Sequence, residues 1–171
     1  MPPARFYKLN IEGSRASNSG KISAGRVIRD HGGAWIDGFQ INLGVSDVLN
    51  VEAWGLFYGL KLVVKLQISN LEVESDSAIL VNLMQSYNLA LRPLGSLLDG
   101  CCKLMSRTEN AKLSHISREF SMTADVLAKS SISHDLGFIS FKDPLVHAAQ
   151  DFLDDLSSTV RAKISASFFN I

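Results

Sequence analysis

Three strand-like stretches joined by two short turns, with a long helical stretch directly behind them, constrain this chain more than any other feature. In residues 5–12, Leu9 and Ile11 alternate with Lys8 and Asn10, the period of two that a half-buried strand requires. Residues 13–20 are rich in Ser, Asn and Gly and read as a turn. A second strand is expected over 21–29, and His31-Gly32-Gly33 turns the chain into a third at 34–43. Strands joined this closely leave no room for a crossover, so they pair as an antiparallel meander. Asp47 is a suitable N-cap for a helix over 48–66, whose apolar stripe is marked by Leu49, Ala53, Leu56 and Leu60.

The second half alternates strands and helices. Residues 70–75 read as a short strand, and Asp76 or Ser77 caps a helix carrying Ile79, Leu80, Leu83 and Met84. Pro93 suits the first turn of a helix over 93–107. A fifth strand is expected over 111–117, and Thr123 caps a last helix through residue 131. The order β-β-β-α-β-α-α-β-α gives an α/β fold: a five-stranded mixed sheet, its first three strands antiparallel, flanked by helices. Texture changes after residue 133. Residues 1–133 are therefore taken as one domain and 134–171 as a C-terminal extension, partly helical over 145–156.

Composition excludes several classes. The formal net charge is zero, so no global positive field advertises nucleic acid, and any such binding rests on a local patch. No run of 18 apolar residues lacks charge, which argues against a membrane span. The first residues, Met1-Pro2-Pro3-Ala4-Arg5, carry no hydrophobic signal segment, and an intracellular protein is expected, with nucleus and cytoplasm undistinguished. Cys101 and Cys102 are adjacent in an amphipathic segment and read as reduced packing residues. Trp35 and Trp54 read as core aromatics. Arg15, Lys21, Arg26 and Arg29 alternate loosely in the first hairpin, suited either to phosphates or to a solvated sheet edge. His31, His134 and His147 are scattered without metal-ligand spacing.

Four carboxylates stand where carboxylates are locally out of place. Glu12 ends the first strand, Glu52 interrupts the apolar stretch 48–66, Asp76 closes 71–75, and Asp125 precedes Val126-Leu127-Ala128. An ionised acid inside an apolar element is usually paired or bound to metal. Two strand ends and two helices that converge would make a pocket of oxygen ligands, which Mg²⁺ prefers. Each acid also has a plainer reading: a strand-end acid in water for Glu12, a solvated helix face for Glu52, a helix cap for Asp76, a first-turn acid for Asp125.

Five segments in this order resemble the plant RNase H-like domain, found in retroelement-derived reverse transcriptases and as stand-alone chains. They are Lys8-Leu9-Asn10-Ile11-Glu12-Gly13-Ser14, Gly25-Arg26-Val27-Ile28-Arg29-Asp30, Val51-Glu52-Ala53-Trp54-Gly55-Leu56, Val73-Glu74-Ser75-Asp76-Ser77, and His115-Ile116-Ser117-Arg118-Glu119 running on to Ala124-Asp125-Val126-Leu127-Ala128. The resemblance implies an endonuclease, a hydrolase that cuts the RNA strand of RNA–DNA hybrids with two Mg²⁺ ions, Mn²⁺ being a substitute. It carries the second, third and fourth metal ligands onto Glu52, Asp76 and Asp125, and a proton-handling histidine onto His115. Glu12 stands where the family has its first Asp, and Ser121 where it usually has Asn. Gly13, Ser14, Ser77 and Ser121 are expected to reach the nucleic acid, read by shape, phosphates and 2′-hydroxyls. The rival is a catalytically reduced module that binds hybrid or structured RNA without cutting, and Glu12 and Ser121 favour it.

Overall fold

The computed structural model describes residues 6–86, 94–117, 122–133 and 135–144, without the side chains of Met122, Thr123 and Asp125. The expected meander forms: β1 (Tyr7–Arg15), β2 (Lys21–Arg29) and β3 (Trp35–Val45) pair antiparallel in sequence. Asp30 shapes the second turn, its Oδ1 accepting from Gly32 N and Ala34 N at 2.9 Å each. Gly33 completes that turn at φ +88°, where a side chain would be strained.

Helix α1 (Val48–Lys65) begins at the expected cap, with Asp47 Oδ1 accepting from Asn50 N at 2.8 Å. It carries the chain across to β4 (Asn70–Ser75), which lies parallel to β1. Helices α2 (Ala78–Met84) and α3 (Gly95–Met105) make a second crossover to β5 (Asn110–His115), parallel to β4. Helix α4 (Met122–Ser131) follows, starting one residue before the Thr123 expected as its cap. Pro93, His134 and the helix expected over 145–156, with His147, lie outside the described residues.

The sheet has six strands, not five, in the order β5-β4-β1-β2-β3-β6. The added strand, β6 (Gly137–Phe141), pairs antiparallel with β3, so the segment assigned to the extension begins inside the sheet. Its apolar residues sit at the edge: Phe138 lies 4.8 Å from Phe39 and 5.6 Å from Tyr58 between ring centroids. The short run Phe138-Ile139-Ser140-Phe141 lacks strict alternation and has no turn residue pair tying it to β3, so its sequence does not mark it as a strand.

The two faces of the sheet are covered differently. Beneath α1 lies the main core: Leu9, Ile11, Ile22, Ala24 and Ile28 from the meander meet Val51, Ala53, Leu56, Leu60 and Val63. Gly59 lets the helix approach, since a Cβ there would lie 2.9 Å from Leu9 Cδ2. Among the described residues, the α4 face holds a smaller buried apolar cluster of Val27, Ala124 and Leu127, with Trp35 and Val126 packed against it. Polar contacts supplement it: Ser130 Oγ donates to Gln40 Oε1 at 2.8 Å, and Ser23 Oγ donates to the Ala128 carbonyl. Trp35 is half-buried beside this cluster, whereas Trp54, expected in the core, is on the exposed side of α1 against Phe57 and Tyr58. Cys101 is buried and Cys102 partly so, and both are reduced.

Candidate active site

The candidate site lies where β1 and β4 run side by side, with α1 and α4 packed against β1. Ile11 pairs with Ser75, so Glu12 and Asp76, the next residues of each strand direction, emerge at neighbouring points. Alternation sends Leu9, Ile11 and Gly13 toward α1, and Lys8, Asn10 and Glu12 toward α4. Gly13 is the seat of Glu52: a Cβ there would lie 2.5 Å from Glu52 Oε1 and 2.7 Å from Val51 Cγ1. On the other face Glu12 stands opposite Gly25, and a Cβ on Gly25 would strike Ala124 O and Ala128 N of α4. That close approach brings the backbone of Asp125 to the Glu12 side of the sheet. The Asp125 side chain and all of Ser121 lie outside the described residues.

Glu12 is 0% exposed and Glu52 2%, so neither is a solvated acid. Asp76 is half-buried at the rim. The cap of α2 falls to Ser77, whose Oγ accepts from Leu80 N at 3.3 Å. His115 ends β5 opposite Ser75, exposed, with Nε2 3.2 Å from the Asp76 carbonyl oxygen. A carbonyl only accepts, so Nε2 is the donor in that contact. Ser14 is half-buried on β1 opposite Ser23, and Gly13 is buried beneath α1.

The residue the sequence reading missed is Arg26. It was grouped with basic residues suited to phosphates or to a solvated edge, yet it is 0% exposed and Arg29 only 6%, which corrects that reading for both. The signal was present: Ile22, Ala24, Arg26 and Ile28 alternate, so Arg26 belongs to the face that packs under α1. Its Nη1 donates to the carbonyls of Glu12 and Gly25, the latter at 2.6 Å, and Nη2 donates to the Glu52 carbonyl at 3.4 Å. Room for the guanidinium comes from Gly55, where any Cβ would overlap Cζ and Nη2 of Arg26. A glycine inside a helix costs about 1 kcal/mol relative to alanine, and here that cost seats the arginine. Burial pushes the Arg26 pKa down to about 10, opposed by the charges of Glu52, Glu12 and Asp76. It remains cationic at pH 7. Among the described residues, no three His, Cys, Asp or Glu side chains form a group able to hold a metal ion.

A family model described as reverse transcriptase-like matches residues 10–131. The chain belongs to this RNase H-like family. A curated relative from Arabidopsis thaliana, "Putative ribonuclease H protein", is 34% identical over 160 residues, covering 92% of this chain and 26% of its own length. The chain thus spans about a quarter of that relative. RNase H1 from the halophilic archaeon Halobacterium salinarum superposes with a TM-score of 0.66 at 16% identity, covering 76% of this chain and 99% of that one. The N-terminal RNase H domain of Rv2228c from Mycobacterium tuberculosis gives 0.68 at 22%, covering 74% and 93%. LC11-RNase H1, solved in complex with an RNA/DNA hybrid, gives 0.66 at 22%, covering 74% and 96%. These structures establish the RNase H fold, and the Reverse transcriptase-like match spans every segment on which the site is built.

Proposed function

We propose that this chain is an RNase H-type domain that engages RNA–DNA hybrids and cuts them slowly or not at all in Mg²⁺. Family membership supports the hybrid as ligand, and the buried guanidinium among the acids supports the reduced cleavage. Glu12, Glu52, Asp76 and Asp125 are the residues proposed to hold two Mg²⁺ ions, which would supply an activated water and a stabilised leaving oxygen. With the Arg26 guanidinium buried against the Glu12 and Glu52 backbone, and no metal-holding group among the described side chains, the residues present do not fit that pair of ions. What the chain's own residues offer is a surface. Arg15 and Lys21 are exposed at the β1–β2 turn, at the same end of β1 as Glu12, and suit phosphate contacts. Ser14 and Ser77 lie at half-buried rim positions suited to 2′-hydroxyls, and the exposed His115 ring stands beside Asp76.

The test is fluorescence anisotropy with labelled RNA–DNA hybrid, duplex RNA and duplex DNA in EDTA, followed by a cleavage assay in Mg²⁺ and in Mn²⁺. Hybrid is expected to bind best and to survive largely intact in Mg²⁺. Changing Arg15 and Lys21 together to Gln should lower the salt slope of binding by about 1 per lost phosphate contact. Rapid cleavage by the wild-type chain would restore the full ribonuclease reading, which the presence of Glu52, Asp76 and Asp125 favours. Equal affinity for all three duplexes would remove the hybrid as its ligand.

A further inference from the structure

We propose that the Arg26 guanidinium is the resident cation of the acid cluster, a tethered charge standing where divalent metal would otherwise neutralise Glu12, Glu52 and Asp76. This rests on the family reading only for the idea that these acids form the site.

The geometry is that of a built seat rather than a side chain caught by chance. Arg26 leaves β2 on the core face between Ala24 and Ile28, is fully enclosed, and ends on three backbone carbonyls. Two of those carbonyls belong to the acids themselves, Glu12 and Glu52, so one planar group ties β1 to α1. Gly55 leaves room for it, since a Cβ there would overlap its Cζ and Nη2. The charges that act on Arg26 are Glu52, Glu12 and Asp76, the three described members of the acid set. A guanidinium offers five donors in a rigid fork and stays charged, whereas Mg²⁺ needs near-octahedral oxygen ligands and sheds water reluctantly. Among the described residues these acids do not form a group able to hold a metal ion, and an ion brought near them would be repelled by the buried guanidinium charge that already acts on them.

Thermal melts of the wild type and Arg26→Gly, in EDTA and in millimolar Mg²⁺ at matched ionic strength, test the assignment. The wild-type melting temperature should not respond to Mg²⁺. Arg26→Gly should melt lower in EDTA, because its acids then repel one another, and rise by roughly 5 °C or more with Mg²⁺. A wild type that Mg²⁺ raises as much as the variant would overturn the proposal, as would a folded variant indifferent to Mg²⁺. Should Arg26→Gly fold in neither buffer, the wild type decides alone: a flat response supports the tethered cation and a rise overturns it. Hybrid binding measured on the same wild-type samples separates the two readings. Lost hybrid binding with a flat Mg²⁺ response would remove the proposed function and leave the role of Arg26 standing.

Discussion

The inner and outer halves of the site are built on different physics. The inner half, Glu12, Glu52 and Arg26, is buried between the sheet and its covering helices at exposures of 0%, 2% and 0%. The outer half, Asp76, Ser77 and His115, lies at the sheet rim where water screens charge. Both are built on neighbouring elements of one sheet and its helix α1, so the difference is made by what covers them. A buried charge must be matched within the protein, and the inner half carries its own cation. A rim charge is matched by solvent, and the outer half is left able to meet a ligand. The lesson is that acids matching a metal-site pattern are compatible with a cluster neutralised from within.

The strongest way to break this contrast is to remove charge from each half. Arg26→Ala should cost about 3–5 kcal/mol in EDTA, the range for breaking a buried pair, whereas Asp76→Asn should cost under about 1 kcal/mol. Urea denaturation reads both. Equal losses would mean that the two halves are not distinct.

Gly55→Ala sharpens the inner half. Alanine is the better helix former by about 1 kcal/mol, yet its Cβ overlaps the guanidinium, so a net loss of about 1–3 kcal/mol is expected. In an Arg26→Gly background the same change should turn neutral or stabilising. A double-mutant cycle measures that coupling, and its absence would show that Gly55 is not the seat of the arginine.

Asp47 is the exposed control. Its hydrogen bond from Asn50 holds its carboxyl below the usual value of 3.8. The depressed acid stabilises the fold above that value, and the contribution fades as pH falls through the lowered pKa. Asp47→Ala should therefore cost about 1 kcal/mol at neutral pH and little in strong acid. A pH-independent cost would show the cap acting without its charge.

The smallest effect is kinetic. Cys101 is buried with its Sγ 4.0 Å from the Ala53 carbonyl, and burial pushes its thiol up to about 12. Cys102, one residue on, is only partly covered, and its thiol is also pushed up by burial. Near pH 8 a thiol reagent should label Cys102 slowly and Cys101 far more slowly. Equal rates would show that the space under α1 opens easily.

Much of this architecture was legible because local chemistry and global fold agree. The alternation around Leu9 and Ile11 fixed β1, Asp47 fixed the start of α1, and the acids at 12, 52 and 76 were visible as misfits within apolar elements. The sixth strand was not, because β6 depends on an edge of β3 far away in sequence, and periodicity says nothing about such a partner. Arg26 was misjudged for a related reason. Its spacing from Ile22, Ala24 and Ile28 marked the core face, but a positive charge suggested water or phosphate, and the backbone carbonyls of Glu12, Gly25 and Glu52 that give it a place inside come from distant segments. Gly55, which the sequence alone does not explain, is accounted for by the guanidinium beneath it.

Soaking crystals of the wild type in Mn²⁺ and collecting anomalous diffraction tests the central claim most directly. The predicted result is density for the Arg26 guanidinium at the carbonyls of Glu12, Gly25 and Glu52, with no anomalous peak among Glu12, Glu52, Asp76 and Asp125. A Mn²⁺ peak between those carboxylates, with Arg26 swung out of its seat, would contradict it.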